Sequence, residues 1–227
     1  MKKAGSANVT TGRAVAVTLR KARDHSTASQ AWLVRQLNDP YVRAAKAQGF
    51  RSRAAFKLIE LDEKFKLLRR GMRVVDLGAA PGGWTQVAVR KGVAEVVALD
   101  LLVMDQLAGA TVLQGDFTDP EMPGRLTELL GGKVDLVLSD MAPNTTGHNA
   151  TDHLRIMALA EMALEFSISV LAPGGGFVTK LFQGGSERGM LTAMKKHFAV
   201  VRHAKPPASR KESSELYVVA TGFRPDV

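Results

Sequence analysis

Lys180 is well placed for acid–base chemistry, because it lies inside the apolar run at residues 177–182. Burying a lysine in an apolar strand disfavours the charged form of its amine, and lysines in that state can serve as general bases. The alternative is a strand-end lysine whose amine reaches solvent. The sequence therefore makes Lys180 a candidate proton acceptor.

A glycine-rich turn, Asp-Leu-Gly-Ala-Ala-Pro-Gly-Gly-Trp, occupies residues 76–84 behind a short apolar run. A β-branched run that ends in Asp before such a turn is typical of a nucleotide-binding α/β unit. Gly78, Gly82 and Gly83 allow the backbone to approach a ligand closely, and Trp84 is placed to wall the pocket. Because the spacing is not the Gly-x-Gly-x-x-Gly of dinucleotide binders, we expect S-adenosylmethionine and methyl transfer.

Acidic residues end the next three strand-like runs. Asp100 comes about twenty residues after the glycine turn, where a carboxylate can accept hydrogen bonds from a ribose diol. Asp116 is placed to accept from the adenine amino group. Asp140 begins Asp-Met-Ala-Pro, whereas enzymes that methylate amines usually carry an aromatic residue there, so the sequence argues against methylation of a base amine.

Strand and helix patterns alternate along the chain and supply the elements that position these residues. Strand-like runs are 72–77, 94–101, 110–114, 133–139, 175–182, 199–204 and 215–222. Helical patterns are 52–61, 84–91, 121–130, 152–171 and 186–197. The alternation predicts an α/β, Rossmann-like fold with a seven-stranded, mostly parallel sheet and helices on both faces. The last two strands lack an intervening helix, which predicts one antiparallel strand.

The net charge of +9 lies in the N-terminal quarter of the sequence. Residues 1–53 contain 11 Lys/Arg and two acidic residues, whereas the remainder is neutral. Such a segment is typical of nucleic-acid binding, and a solubilising tail or a transit peptide is the alternative. We predict a basic, partly disordered extension over residues 1–50, with short helices interrupted at 38–40, and a catalytic domain over 51–227.

The composition excludes several other classes of protein. The chain has no cysteine and five scattered histidines, so we expect neither disulfides nor a metal site. No apolar run approaches the roughly eighteen residues that span a membrane. We expect a cytoplasmic monomer with no membrane partner.

Four motifs together resemble the FtsJ-type family of ribosomal RNA ribose 2′-O-methyltransferases. They are residues 76–84, 139–144, 180–184 and 214–222. The resemblance covers about residues 50–223, and residues 1–30 fall outside it. That family methylates a uridine ribose in the A-loop of bacterial 23S ribosomal RNA, in the large ribosomal subunit. The resemblance therefore implies a class I methyltransferase with S-adenosylmethionine as methyl donor.

The resemblance also implies roles for individual residues. The Lys-Asp-Lys-Glu tetrad of RNA ribose 2′-O-methyltransferases is matched by Lys57, Asp140, Lys180 and Glu215, with Lys180 as proton acceptor. The cofactor would be bound by Gly82, Trp84, Asp100, Asp116 and Asp140. Because other RNA methyltransferases share the tetrad, a tRNA or cap ribose remains an alternative substrate. A ribosome-assembly factor that mainly binds RNA is the alternative from another class.

Three basic residues flank the predicted mouth of the pocket, namely Arg53, Arg210 and Lys211. We expect them to contact RNA phosphates, which makes binding independent of sequence and sensitive to salt.

Overall fold

The computed structural model describes three parts of the chain, residues 27–143, 146–182 and 188–225. The predicted disorder near the N-terminus falls on residues outside these ranges. The helices predicted for the following segment are confirmed as α1 (Thr27–Asn38) and α2 (Pro40–Ala47). They are separated at Asp39, whose carboxylate accepts from the Tyr41 N–H at 2.9 Å and so caps α2.

The strands form one seven-stranded sheet in the order β3-β2-β1-β4-β5-β7-β6. Their bounds are β1 (Arg73–Leu77), β2 (Glu95–Asp100), β3 (Thr111–Gln114), β4 (Val134–Ser139), β5 (Leu171–Phe182), β6 (Phe198–Ala204) and β7 (Glu215–Phe223). The first five strands pair in parallel, and β7 is antiparallel to both β5 and β6. The prediction of a mostly parallel sheet with one antiparallel strand is confirmed.

Helices cover both faces of the sheet, as the alternating pattern predicts. Their bounds are α3 (Ala54–Phe65), α4 (Gly83–Arg90), α5 (Met122–Leu130), α6 (Asn149–Val170) and α7 (Arg188–His197). One face packs against α5, α6 and α7 around Val137 and Phe177. The other face packs against α3 and α4 around Leu136 and Val178. Because successive side chains point to opposite faces and both faces are covered, most residues of β4 and β5 are buried.

The start of β5 differs from the sequence prediction of residue 175. The strand begins at Leu171, which pairs with Val134, and regular pairing resumes where Gly176 meets Leu136. A register shift between these two pairs allows the chain to leave α6 and enter the strand without a separate loop.

The functional end of the sheet lies where β1 and β4 are neighbours. The Asp140 N–H donates to the Leu77 carbonyl at 3.0 Å, so the loops that follow these two strands are adjacent. Such a switch in strand order opens a crevice at the carboxyl ends of parallel strands. Within the described ranges, no helix is long and apolar enough to cross a bilayer.

Candidate active site

The four predicted tetrad residues lie together at the carboxyl end of the sheet. Lys180 donates to the backbone carbonyl of Asp140, and its Nζ lies 3.0 Å from Asp140 Oδ1. Lys57 Nζ lies 2.7 Å from Glu215 Oε2 and 4.0 Å from Asp140 Oδ2. The site therefore alternates cation and anion in the order Lys180, Asp140, Lys57, Glu215.

Strand pairing and helix packing bring these four residues together. Lys180 on β5 stands opposite Tyr217 on β7, and Glu215 lies two residues earlier on the same face of β7. Lys57 reaches the site from α3, which packs on this face of the sheet. Lys180 is only 7% exposed, so its amine is held by Asp140 and does not extend into solvent.

Tyr217 is a fifth member of the site that the sequence reasoning did not single out. Its hydroxyl donates to Asp140 Oδ1 at 2.7 Å and accepts from Lys57 Nζ at 3.1 Å. A fully buried tyrosine hydroxyl needs a polar partner, and the spacing of two from Glu215 puts both side chains on one face of the strand. The two-residue spacing from Glu215 is the feature of the sequence that could have identified Tyr217 as a member of the site.

Opposing effects act on the protonation of Asp140. Burial alone would raise the pKa of Asp140, but the ammonium groups of Lys180 and Lys57 outweigh it and hold this pKa below its usual range. Burial, reinforced by the Asp140 and Glu215 charges, raises the pKa of Tyr217 well above its usual value. The carboxylate of Asp140 is therefore ionised, and the phenol of Tyr217 keeps its proton.

A cavity of about 590 Å³ opens beside the tetrad, a size typical of small-molecule sites. Four predicted cofactor residues are among those that line it, namely Gly78, Asp100, Asp116 and Asp140. The cavity also involves Met141 and the α6 residue Arg155, neither of which the sequence reasoning identified. The cavity and the tetrad share Asp140, so a ligand there lies next to the predicted proton acceptor.

The backbone around the cavity fits a close-lying ligand. Gly78 has a φ of +75°, and an added Cβ would lie 2.7 Å from the Met141 backbone. The carboxylate of Asp100 is oriented by N–H groups of Ala80 and Leu102, both at 2.8 Å. Each oxygen of a carboxylate can accept a second hydrogen bond, so Asp100 retains acceptor capacity toward the cavity.

Asp76, at the carboxyl end of β1, is a buried carboxyl group in which one oxygen lacks a hydrogen-bond partner. Its Oδ2 accepts from the Thr85 hydroxyl at 2.7 Å, whereas Oδ1 has no hydrogen-bond partner within the described residues. Burial raises the pKa of Asp76 to about 7, despite the opposing Thr85 hydrogen bond. Asp76 does not line the cavity, so its Oδ1 is a buried acceptor within the core beneath the turn.

Gly82, Gly83 and Trp84 are placed differently from the other predicted cofactor residues, because none of them lines the cavity. The Trp84 indole donates to the Ala54 carbonyl at 2.8 Å and packs on Tyr217, with ring centroids 5.6 Å apart. The ring therefore does not form the expected wall, since α3 covers the start of α4 and draws the indole into the core.

The absence of a side chain at Gly83 allows the start of α4 to pack closely against the residues that precede α3. A Cβ there would lie 2.4 Å from Ser52 Oγ. If Gly83 or Trp84 contacts a ligand, the contact is made by its backbone N–H group in the first turn of α4.

The three predicted RNA-contact residues also differ in their surroundings. Arg53 Nε lies 3.1 Å from Asp39 Oδ2, and Arg53 donates to the Ala208 carbonyl, so its side chain is 17% exposed. Arg210 lies 3.7 Å from the same Asp39 oxygen. Lys211 is exposed. Arg53 therefore holds the loop at residues 205–214 against α2, and that loop in turn supports Glu215 through Ser209 Oγ at 2.8 Å.

Curated relatives are highly similar to this chain. The protein named "Ribosomal RNA large subunit methyltransferase E" from Granulibacter bethesdensis is 68% identical over 94% of this chain and 93% of its own length. The protein of the same name from Gluconobacter oxydans is 66% identical over 97% of this chain and 82% of its own. Residues 31–227 alone could not supply such coverage, so these relatives also match part of residues 1–30, contrary to the expectation from the motifs.

A solved structure and a family model agree with these relatives. The structure of a Plasmodium falciparum protein described as a ribosomal RNA methyltransferase superposes with a TM-score of 0.69 at 29% identity, over 77% of this chain and 98% of that one. The model for FtsJ-like methyltransferases matches residues 50–223. The chain therefore belongs to the FtsJ-like methyltransferase family, which confirms the S-adenosylmethionine-dependent methyl transfer expected from the glycine turn.

Proposed function

We propose that this chain is a cytoplasmic enzyme that methylates the ribose 2′-hydroxyl of a uridine in the A-loop of 23S ribosomal RNA. One observation carries the proposal: a buried lysine, Lys180, is held by Asp140 at the edge of the cofactor cavity. The names of the curated relatives favour ribosomal RNA of the large subunit over tRNA or a cap structure.

Different residues of the cavity would hold different parts of the methyl donor. Asp100 would accept from the ribose diol of the adenosyl group, and Asp116 from its adenine amino group. Glycine at position 78 lets the turn pack against the Met141 backbone, and both residues line the cavity that would hold the ligand. Bound S-adenosylmethionine supplies a methyl group that a nucleophile can attack.

Lys180 would act on the acceptor hydroxyl. Two oxygens of Asp140 occupy two hydrogen-bonding positions on Lys180 Nζ and leave a third for the ribose 2′-hydroxyl. Once the Lys180 ammonium has released a proton to solvent, this third position is the lone pair of the neutral amine, which accepts the hydroxyl proton. As the oxygen–methyl bond forms and the sulfur–methyl bond breaks, that proton moves to Nζ.

The other members of the site would position Lys180 and Asp140. Tyr217 donates to Oδ1 of Asp140, the oxygen that Lys180 also contacts. Lys57 faces Oδ2 of the same carboxylate and is itself held by Glu215. General-base assistance contributes about 10²–10⁴-fold to a rate. Holding the hydroxyl in line with the methyl group contributes as much or more, so we expect positioning to dominate. Arg210 and Lys211 would contact RNA phosphates near the opening.

A methyl-transfer assay tests the proposal. It combines the purified protein with methyl-labelled S-adenosylmethionine and large ribosomal subunits from a strain that lacks this enzyme. We expect the label in 2′-O-methyluridine of 23S ribosomal RNA. Lys180→Ala is expected to abolish transfer while leaving S-adenosylmethionine affinity nearly unchanged. Label in a base, in tRNA only, or undiminished transfer by Lys180→Ala would contradict the proposal.

A separate experiment addresses the alternative of an assembly factor. In the proposed enzyme, Lys180→Ala does not restore the modified nucleotide to a strain lacking the gene. If the same variant restored normal subunit assembly, binding rather than methylation would be the main contribution to assembly.

A further inference from the structure

The neutral total charge of residues 54–227 conceals a strongly basic segment at residues 188–211. This segment has no acidic residue and seven basic ones, namely Arg188, Lys195, Lys196, Arg202, Lys205, Arg210 and Lys211. Because residues 54–227 balance overall, the rest of the domain is net acidic. The segment forms α7, β6 and the loop after β6, so its charge is concentrated at one edge of the sheet.

A shallow depression on this edge brings several of the cations together. It has a volume of about 290 Å³, and it is lined by Lys195, Arg202 and Arg224 without any carboxylate. Val200, which also lines it, is 44% exposed, so no part of the described chain covers the strand here. A depression lined by three cations and no carboxylate has the positive potential that attracts anions.

The chain itself does not neutralise these cations. Within the described ranges, the side chains of Lys195 and Arg202 form no ion pair or hydrogen bond. Arg224 donates to the carbonyls of Lys195, Lys196 and Phe198, which leaves its charge without a carboxylate partner. The partial negative charge at the C-terminus of α7 attracts cations, which explains the positions of Lys195 and Arg224 beside it. It does not account for Arg202, which lies within β6.

The edge strand connects this depression with the active site. β6 spans seven residues, or roughly 20 Å at the usual rise of a strand. Its last residue, Ala204, pairs with Tyr217, which contacts the tetrad. The loop that follows carries Lys205, Arg210 and Lys211. A basic track therefore extends from the depression along the edge of the sheet to the active-site end.

We infer that the β6 edge binds the phosphate backbone of the RNA strand that flanks the target nucleotide. Cations on α7, on β6 and in the loop after β6 suit the phosphates of one RNA strand, and such contacts position a nucleic acid without reading its sequence. The inference rests on the proposed function, because the ligand is the RNA substrate itself. It adds a contact surface outside the active site, along the edge strand of the sheet.

The test compares the double variant Lys195→Gln/Arg202→Gln with wild type on undermethylated large ribosomal subunits. Arg70→Gln/Arg125→Gln is the control, because both are exposed cations without an ion pair in the described chain and lie outside the basic segment. We expect the test variant to raise KM for subunits and leave kcat unchanged. We also expect the slope of log affinity against log salt to fall in magnitude by about 1 per lost contact, or about 2 in total.

The outcomes separate the inference from the proposed function. If wild type does not methylate the subunits, the proposed function fails. If wild type is active but the test variant matches it in KM and salt slope, the inference about β6 is overturned. An equal effect of the control variant would also overturn it, because the effect would then reflect total charge.

Discussion

Asp140 is the residue on which the active site depends, because its carboxylate and its carbonyl hold the other groups in place. Lys180 contacts both, Tyr217 donates to the carboxylate, and Lys57 lies 4.0 Å from it. A buried charge is tolerated only when it is paired and hydrogen-bonded, so removing any one partner leaves the remainder poorly compensated.

Tyr217→Phe tests whether the fifth member of this network contributes to activity. The variant keeps the ring against Trp84 but removes the hydroxyl between Asp140 and Lys57. We expect a stability loss of about 1–3 kcal/mol and a lower kcat, with S-adenosylmethionine affinity unchanged. Steady-state kinetics, thermal denaturation and binding calorimetry measure the three quantities.

Tyr41→Phe is the matched control, since the Tyr41 hydroxyl also donates to a carboxylate, Glu60 Oε1, at 3.0 Å. We expect this variant to lose stability without losing kcat. Equal kcat values for the two variants would contradict a role of Tyr217 in positioning the tetrad.

Asp76→Asn tests the pH dependence of stability that the raised pKa of Asp76 implies. A carboxyl whose pKa rises from 3.8 to about 7 on folding favours folding when protonated, and this advantage is lost as pH rises from about 4 to 7. The asparagine variant does not titrate. We therefore expect its stability relative to wild type to increase across this window by roughly 4 kcal/mol. Chemical denaturation of the ligand-free protein at several pH values measures the difference, and parallel stability curves would contradict the assignment.

At the residue level, sequence motifs were sufficient to identify side chains that the fold brings together. Lys57 and Lys180 are 123 positions apart in the sequence, yet both contact Asp140. The motifs could not reveal that Arg53 pairs with Asp39, or that the Trp84 ring lies in the core. Both outcomes depend on how α2 and α3 pack on the sheet, which local patterns do not specify.

At the level of elements, the turn between β1 and α4 depends on the absence of a side chain at Gly78. In Gly78→Ala the new Cβ would lie 2.7 Å from Met141 backbone atoms, and the φ of +75° would also be strained. We expect a stability loss above the roughly 1–2 kcal/mol of a left-handed alanine, together with weaker S-adenosylmethionine binding. Thermal denaturation and calorimetry measure these effects.

Gly131→Ala provides the control for this turn, because Gly131 has a φ of +58° and open space around its Cβ position. We expect it to show the conformational cost alone, with unchanged ligand affinity. Equal losses in the two variants would mean that close packing against Met141 is unimportant.

The order and type of the elements were predictable from the sequence, whereas some of their ends were not. Apolar runs identified all seven strands, most clearly the central strands β1 and β4, whose two faces are both buried. The beginning of β5 was misplaced by four residues, because the register shift near Val134 extends pairing into a stretch that reads as a turn. Tertiary pairing therefore overrode the local signal at Pro173 and Gly174.

At the scale of the whole molecule, positive charge is concentrated in two places, the N-terminal quarter and residues 188–211. Residues 1–26 contain six basic residues and one acidic residue. Deleting them removes this charge and ends before α1. We expect weaker RNA binding and a shallower salt dependence, with kcat unchanged on saturating subunits. Titration of RNA binding at several salt concentrations measures the slope, and an unchanged slope would show that this segment does not bind RNA.

Mapping 2′-O-methyl groups on total RNA from cells in which the gene has been disrupted tests the central claim most directly. We predict that one uridine of 23S ribosomal RNA loses its ribose methyl group, and that the wild-type gene restores it whereas a Lys180→Ala gene does not. Large-subunit ribosomal RNA with an unaltered set of 2′-O-methyl groups would contradict the proposed substrate and the role given to Lys180.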